Sequence, residues 1–129
     1  MDDRFARGSE LLNQIHTGGG DQLVAALADI APDLARAIIE FGFGEIYVRP
    51  GLALRDRQIA TVAALAALGT ARPQLVAHIE GALAVGVTRQ EIVEIIMQMA
   101  VYAGFPAALN GLFAAKDVFA ARDAESAPA

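Results

Sequence analysis

Cysteine and tryptophan are absent from the 129 residues, and lysine occurs once, as Lys116. Without cysteine there can be no disulfide, no thiolate zinc site and no thiol redox cycle. Lys116 is the only side-chain amine available for a Schiff base, and the nine remaining basic residues are arginines, suited to forked recognition of carboxylates. The two serines, Ser9 and Ser126, lie near the ends and outside any nucleophile elbow, which argues against a serine hydrolase. Histidine occurs only at His16 and His78, with no His-x-x-x-His or Glu-x-x-His spacing, so no metal site is expected. Gly18-Gly19-Gly20 lacks the Lys-Ser/Thr of a phosphate loop and follows no strand, and it reads as a flexible turn.

Basic charge is equally sparse. The net charge is −5 with a pI near 4.8, and the ten basic residues are scattered, which leaves no footprint for nucleic acid. No apolar run reaches the roughly 20 residues that cross a bilayer, and no leader pattern or lipidation signal is present, so the expected location is the cytoplasm.

Apolar residues are plentiful, at 55%. A chain of this length makes one domain, residues 1–129, and buries roughly two-thirds of its unfolded surface without a staple. The apolar excess predicts that part of the surface is covered by another subunit, hence a homo-oligomer.

No stretch alternates with period two, so the periodicities predict an all-α domain of about six to seven helices. Asp2 or Asp3 can cap a first helix to about Ile15, with Phe5, Leu11, Leu12 and Ile15 inward. His16 suits the end of that helix. Asp21 begins a second to about Ile30. Pro32 and Asp33 open a third to about Tyr47, on which Leu34, Ile38, Phe41 and Glu45 share a face. A carboxylate there either snorkels from the helix end or is buried with a partner. Arg49-Pro50-Gly51 then turns the chain.

From Ile59 to Ala71 no side chain is charged, the pattern of a helix covered on all sides; Gly69 ends it. Pro73 begins the next, with Leu75, Ile79, Ala82 and Leu83 inward, His78 at the edge of the core and Gly86 as left-handed terminator. Thr88 and Glu91 form a capping box for a helix that buries Ile92, Ile95, Ile96, Met99 and Ala103, its two methionines Met97 and Met99 read as packing. After Gly104, a last helix from about Pro106 to Arg122 turns Leu109, Leu112, Phe113 and Phe119 inward, and residues 123–129 are expected to fray.

What remains for chemistry is a small acid-base set. His78 and Glu45 are the candidate proton carriers, with Arg49, Arg57, Tyr102 and Tyr47 as candidate binders; a lone histidine at such a position is more often a hydrogen-bonded structural residue than a catalyst.

The blocks Gly44-Glu45-Ile46-Tyr47-Val48-Arg49-Pro50-Gly51-Leu52, Arg57, Leu75-Val76-Ala77-His78, Gly86-Val87-Thr88 with Glu91-Ile92, and Val101-Tyr102-Ala103-Gly104-Phe105-Pro106 together resemble the carboxymuconolactone decarboxylase family. The resemblance implies an alkylhydroperoxidase-D-like helical subunit that assembles into rings, commonly trimers or hexamers. It also implies a lyase of aromatic catabolism that converts 4-carboxymuconolactone or a related lactone acid into an enol-lactone, without a cofactor. The implied catalytic pair is His78, as proton donor, and Glu45, as the group that orients or charges the imidazole. Arg49 and Arg57 would take the substrate's carboxylates, and Tyr102 or His78 the developing dienolate oxygen. The related peroxidase branch carries Cys-x-x-Cys before the matching histidine; here that stretch is Ala71-Arg72-Pro73-Gln74, which excludes thiol peroxidase chemistry. Family decarboxylases often have tryptophans where this chain has Phe43 and Tyr47. That departure leaves room for another enolisable acid or lactone as substrate, and a non-catalytic small-molecule-binding oligomer is the remaining alternative.

Overall fold

The computed structural model describes residues 3–128. All regular structure among them is helical: α1 (Arg4–Ile15), α2 (Gly19–Leu27), α3 (Pro32–Ala37) continuing into a π-helix (Ile38–Ile46), α4 (Leu54–Leu68), α5 (Arg72–Ala84), α6 (Arg89–Ala103) and α7 (Phe105–Ser126). This is the all-α class that the periodicities predict. No helix among the described residues is long and apolar enough to cross a membrane. The chain packs as two compact units, Met1–Leu54 and Arg55–Ala129.

In the first unit, Asp3 stands at the N-cap of α1 without a side-chain cap bond; Asp2 lies outside the described residues. Leu12 and Ile15 are buried as expected, whereas Phe5 is exposed. The glycine run is not a flexible turn. Gly18 takes a φ of +74°, its N–H donates to Asn13 Oδ1 at 2.8 Å, and α2 starts at Gly19, two residues before Asp21. Gly19 and Gly20 are buried, and a side chain at Gly19 would meet Leu12 and His16 at 3.3 Å.

Pro32 opens α3 as expected, but the helix then widens. The Tyr47 N–H donates to the Gly42 carbonyl at 2.9 Å, an i→i+5 bond. The inward residues are Ala35, Ile39 and Phe43, while Leu34 and Phe41 are exposed. The predicted face of Leu34, Ile38, Phe41 and Glu45 is therefore rotated from the buried one. The cause is α1, which approaches so closely that only small groups fit between: a Cβ on Gly44 would stand 2.2 Å from the Arg4 carbonyl oxygen.

The second unit has its own core, in which Val62 and Ala66 of α4, Leu75 and Ile79 of α5, Ile92 and Ile96 of α6, and Ala114 and Val118 of α7 are buried together. The helix α4 is not covered all round, since Ala60, Ala64 and Leu68 are exposed in this single chain. Small size explains the exposed alanines, which favour helix without demanding burial. The helix α5 ends as expected: Gly86 has a φ of +95°, and the Val87 N–H donates to the Ala82 carbonyl at 3.0 Å, which brings the buried Val87 back over the helix end. Both halves of the Thr88–Glu91 capping box are formed.

The helix α7 keeps only part of its predicted face, with Leu112 and Phe119 packed against the core. Leu109 and Phe113 are half exposed, and the inward residues are Ala108, Gly111, Ala114, Ala115 and Val118. A Cβ on Gly111 would lie 2.8 Å from Ile96 Cγ2, so α6 and α7 pack at a distance that admits small side chains and turns large ones outward. Met99 packs against the core, but Met97 is exposed, a correction to its reading as packing. Instead of ending at Arg122, α7 continues to Ser126, and Asp123 accepts from Arg89 at 2.7 Å. The same arginine lies 5.1 Å over the Phe119 ring.

Candidate functional site

His78 lies on α5 with Leu75 three residues before it and Ala82 four after, both buried. That places the imidazole half-buried at the edge of the second unit's core, as its spacing predicts. Its Nδ1 is 3.1 Å from Oε1 of Gln58 on α4. Gln58 has no exposed surface and is the one buried polar side chain among the described residues. Burial pushes the His78 pKa below its ordinary value, so the ring is neutral at neutral pH. A carboxamide oxygen only accepts, so in this orientation Nδ1 carries the proton and Nε2 is the basic atom. The other end of the amide, Gln58 Nε2, is buried with no hydrogen-bond partner.

Sequence reasoning missed Gln58, although the signal was available. Gln58, Val62 and Ala66 follow one another at four-residue spacing, and all three are buried. A polar residue that begins such an inward row needs a partner, and His78 is that partner.

Among the other candidates of this unit, Arg57 immediately precedes Gln58 and is half-buried, and its carbonyl accepts from Thr61 Oγ1 at 2.8 Å. Tyr102, in the last turn of α6, is 77% exposed. In the first unit, Glu45 accepts from Arg4 Nη1 at 2.7 Å, and both side chains keep more than a third of their surface in solvent. Glu45 thus holds a partner at the surface, between the two alternatives of lone snorkelling and full burial. Tyr47 is half-buried with its ring 5.1 Å from that of Phe43, and Arg49 is exposed in the turn that follows. The structure brings His78 together with Gln58 and gives Glu45 its partner in Arg4.

A concavity of about 550 Å³ in the second unit is lined by Ile59, Gln90, Glu91, Glu94, Ile95, Met97 and Gln98. Its carboxylates are unsuited to an anionic ligand. Glu91 in particular is held ionised: the Thr88 backbone N–H and then the Arg55 guanidinium, at 2.6 Å, pull its pKa down to about 2. Another, of about 500 Å³, is lined mainly by apolar residues that include Met97, Phe105, Pro106 and Leu109. Among the described residues no cluster of three or more His, Asp or Glu could hold a metal ion.

Residues 32–117 match the pattern of the carboxymuconolactone decarboxylase family. The chain belongs to this family. Its relatives include 4-carboxymuconolactone decarboxylase of Acinetobacter baylyi, 32% identical over 122 residues that cover 92% of this chain and 88% of that protein. An uncharacterized 15.0 kDa protein of Paracoccus denitrificans is 36% identical over 101 residues, covering 78% of this chain and 75% of its own. The family segment takes in the π-helix and all of α4, α5 and α6, and so includes Glu45, Arg49, Gln58 and His78.

Proposed function

We propose that the protein is a cytoplasmic carboxy-lyase that decarboxylates 4-carboxymuconolactone, or a closely related lactone acid, with His78 as the proton donor. The observation that carries this reading is the similarity to the Acinetobacter decarboxylase over 92% of this chain. His78 supports it as a half-buried, neutral imidazole with one nitrogen held and the other available.

The chemistry requires little machinery. The carboxylate to be lost sits on the γ-carbon of an unsaturated lactone. When the bond to carbon dioxide breaks, its electron pair moves through the ring double bond into the lactone carbonyl and gives a dienolate. A proton then adds at the α-carbon and yields the enol-lactone. Substrate carboxylates beside His78 favour its cation, so the imidazole takes a proton from solvent as substrate binds and delivers it to carbon. Arg57 is the forked donor this reading assigns to those carboxylates, and Tyr102 the hydroxyl donor it assigns to the substrate's oxygens. The reading needs nothing from Glu45, whose carboxylate holds Arg4.

Phe43 and Tyr47 favour a second reading in the same reaction class. They pack on one another where family decarboxylases often carry tryptophan, which fits a different enolisable lactone acid. In either case the working form is a homo-oligomeric ring of three or six subunits.

The test is carbon dioxide release from 4-carboxymuconolactone with no cofactor added. Wild-type turnover is expected to fall about 100-fold or more in His78→Ala, with the helical circular dichroism unchanged. Full turnover in that variant would remove His78 from the mechanism, and no release by the assembled wild-type protein would move the search to other lactone acids.

A further inference from the structure

We propose that Gln58 is a positioning residue for His78: its amide oxygen fixes the proton on Nδ1 and so reserves Nε2 as the atom that exchanges protons with substrate. The proposal builds on the reading of His78 as proton donor.

The geometry is specific. Gln58 is fully buried, and its Oε1 lies 3.1 Å from Nδ1. Packing does not ask for an amide at this position. The residues that follow it on the same face of α4, Val62 and Ala66, are apolar, and Gln58 Nε2 is left without a partner. An apolar side chain of the same length would leave no such orphan.

What the amide supplies is chemical. An amide oxygen accepts from Nδ1–H whether the ring is neutral or cationic, so it holds one ring orientation through a complete protonation cycle. It does so without a charge. A carboxylate in its place would stabilise the cation and hold back the proton that the reaction must release. The reversed amide would point N–H at Nδ1, force the ring proton to Nε2 and oppose the cation, which is incompatible with proton delivery.

Nitrogen-15 NMR of the imidazole rings tests this directly, with His78 distinguished from His16 by a His16→Gln variant. At neutral pH the His78 spectrum is expected to be that of the Nδ1–H tautomer, with a pyridine-like Nε2. Gln58→Met is expected to release it toward the Nε2–H form that free histidine prefers, and Gln58→Glu to restore Nδ1–H. A wild-type ring protonated at Nε2, or a Gln58→Met ring that keeps Nδ1–H in a folded protein, overturns the proposal. In the turnover assay Gln58→Met is expected to lower kcat by on the order of 10-fold or more with little change in KM. A protein that shows the expected tautomers but releases no carbon dioxide would overturn the decarboxylase reading alone, because the NMR signature does not depend on substrate.

Discussion

Gly8 of α1 sits in a notch of the π-helix, where an added Cβ would lie 3.0 Å from the Gly44 backbone nitrogen and 2.1 Å from the Ile39 carbonyl oxygen. Gly44 answers from the other side, against the Arg4 carbonyl. Backbone on both sides cannot rotate away as a flexible side chain would, so Gly8→Ala and Gly44→Ala should each cost about 3 kcal/mol or more. Urea unfolding followed by circular dichroism measures this. An unchanged midpoint in both variants would mean that the two helices do not meet through these glycines.

Gln58 and Ile79 are both fully buried in the second unit, yet their replacement should have opposite consequences. Ile79→Ala leaves a cavity and is expected to cost about 2 to 5 kcal/mol. Gln58→Met removes an amide whose Nε2 is unpaired, so the stability should hold within about 1 kcal/mol or rise. A loss from Gln58→Met as large as that from Ile79→Ala would give Gln58 a structural role.

Glu91 gives the acid limb of stability a defined origin. Its pKa falls from an ordinary 4.5 to about 2 through the Thr88 N–H and Arg55. A carboxylate depressed on folding stabilises the native state fully above its unfolded value, and that contribution is lost as pH falls from about 4.5 to about 2. Glu91→Gln should therefore flatten the fall in stability across this window. Urea midpoints for both proteins at about pH 6 and about pH 3 make the comparison; parallel losses would exclude Glu91 as a contributor.

The outward side chains at the α6–α7 turn bear on assembly. Phe105 is 82% exposed and Val101 76%, and Met97, Phe105 and Leu109 border the same apolar concavity. Exposed apolar side chains gathered in this way are costly in water and typical of subunit contacts. Phe105→Glu should lower the association state of the proposed oligomer in sedimentation equilibrium. Unchanged assembly would place the subunit contact elsewhere.

Features written in a few adjacent residues were legible from the sequence. The Thr88–Glu91 box, the left-handed Gly86 and the edge position of His78 each follow from spacing within one or two turns, and each is present. The Arg89–Asp123 pair shows why local pattern ends the last helix too early: its final turn is tied to a residue 34 positions away. Likewise, Glu45 could be assigned a helix face but not its partner Arg4, which lies 41 residues earlier.

The sequence alone determined the helical class, the principal stops between helices and the absence of thiol chemistry, because periodicity, caps and composition act locally or need no geometry. Which face each helix buries was decided only in three dimensions. Leu34, Phe41, Leu109 and Phe113 are more apolar than the alanines and glycines beside them, and hydrophobicity alone would bury them. The close approaches at Gly8, Gly44 and Gly111 favour small side chains instead, because interhelical distance is a property of two elements at once. The pairing of Gln58 with His78 belongs to the same class: 20 residues separate them in the chain, and only the packing of α4 with α5 brings amide to imidazole.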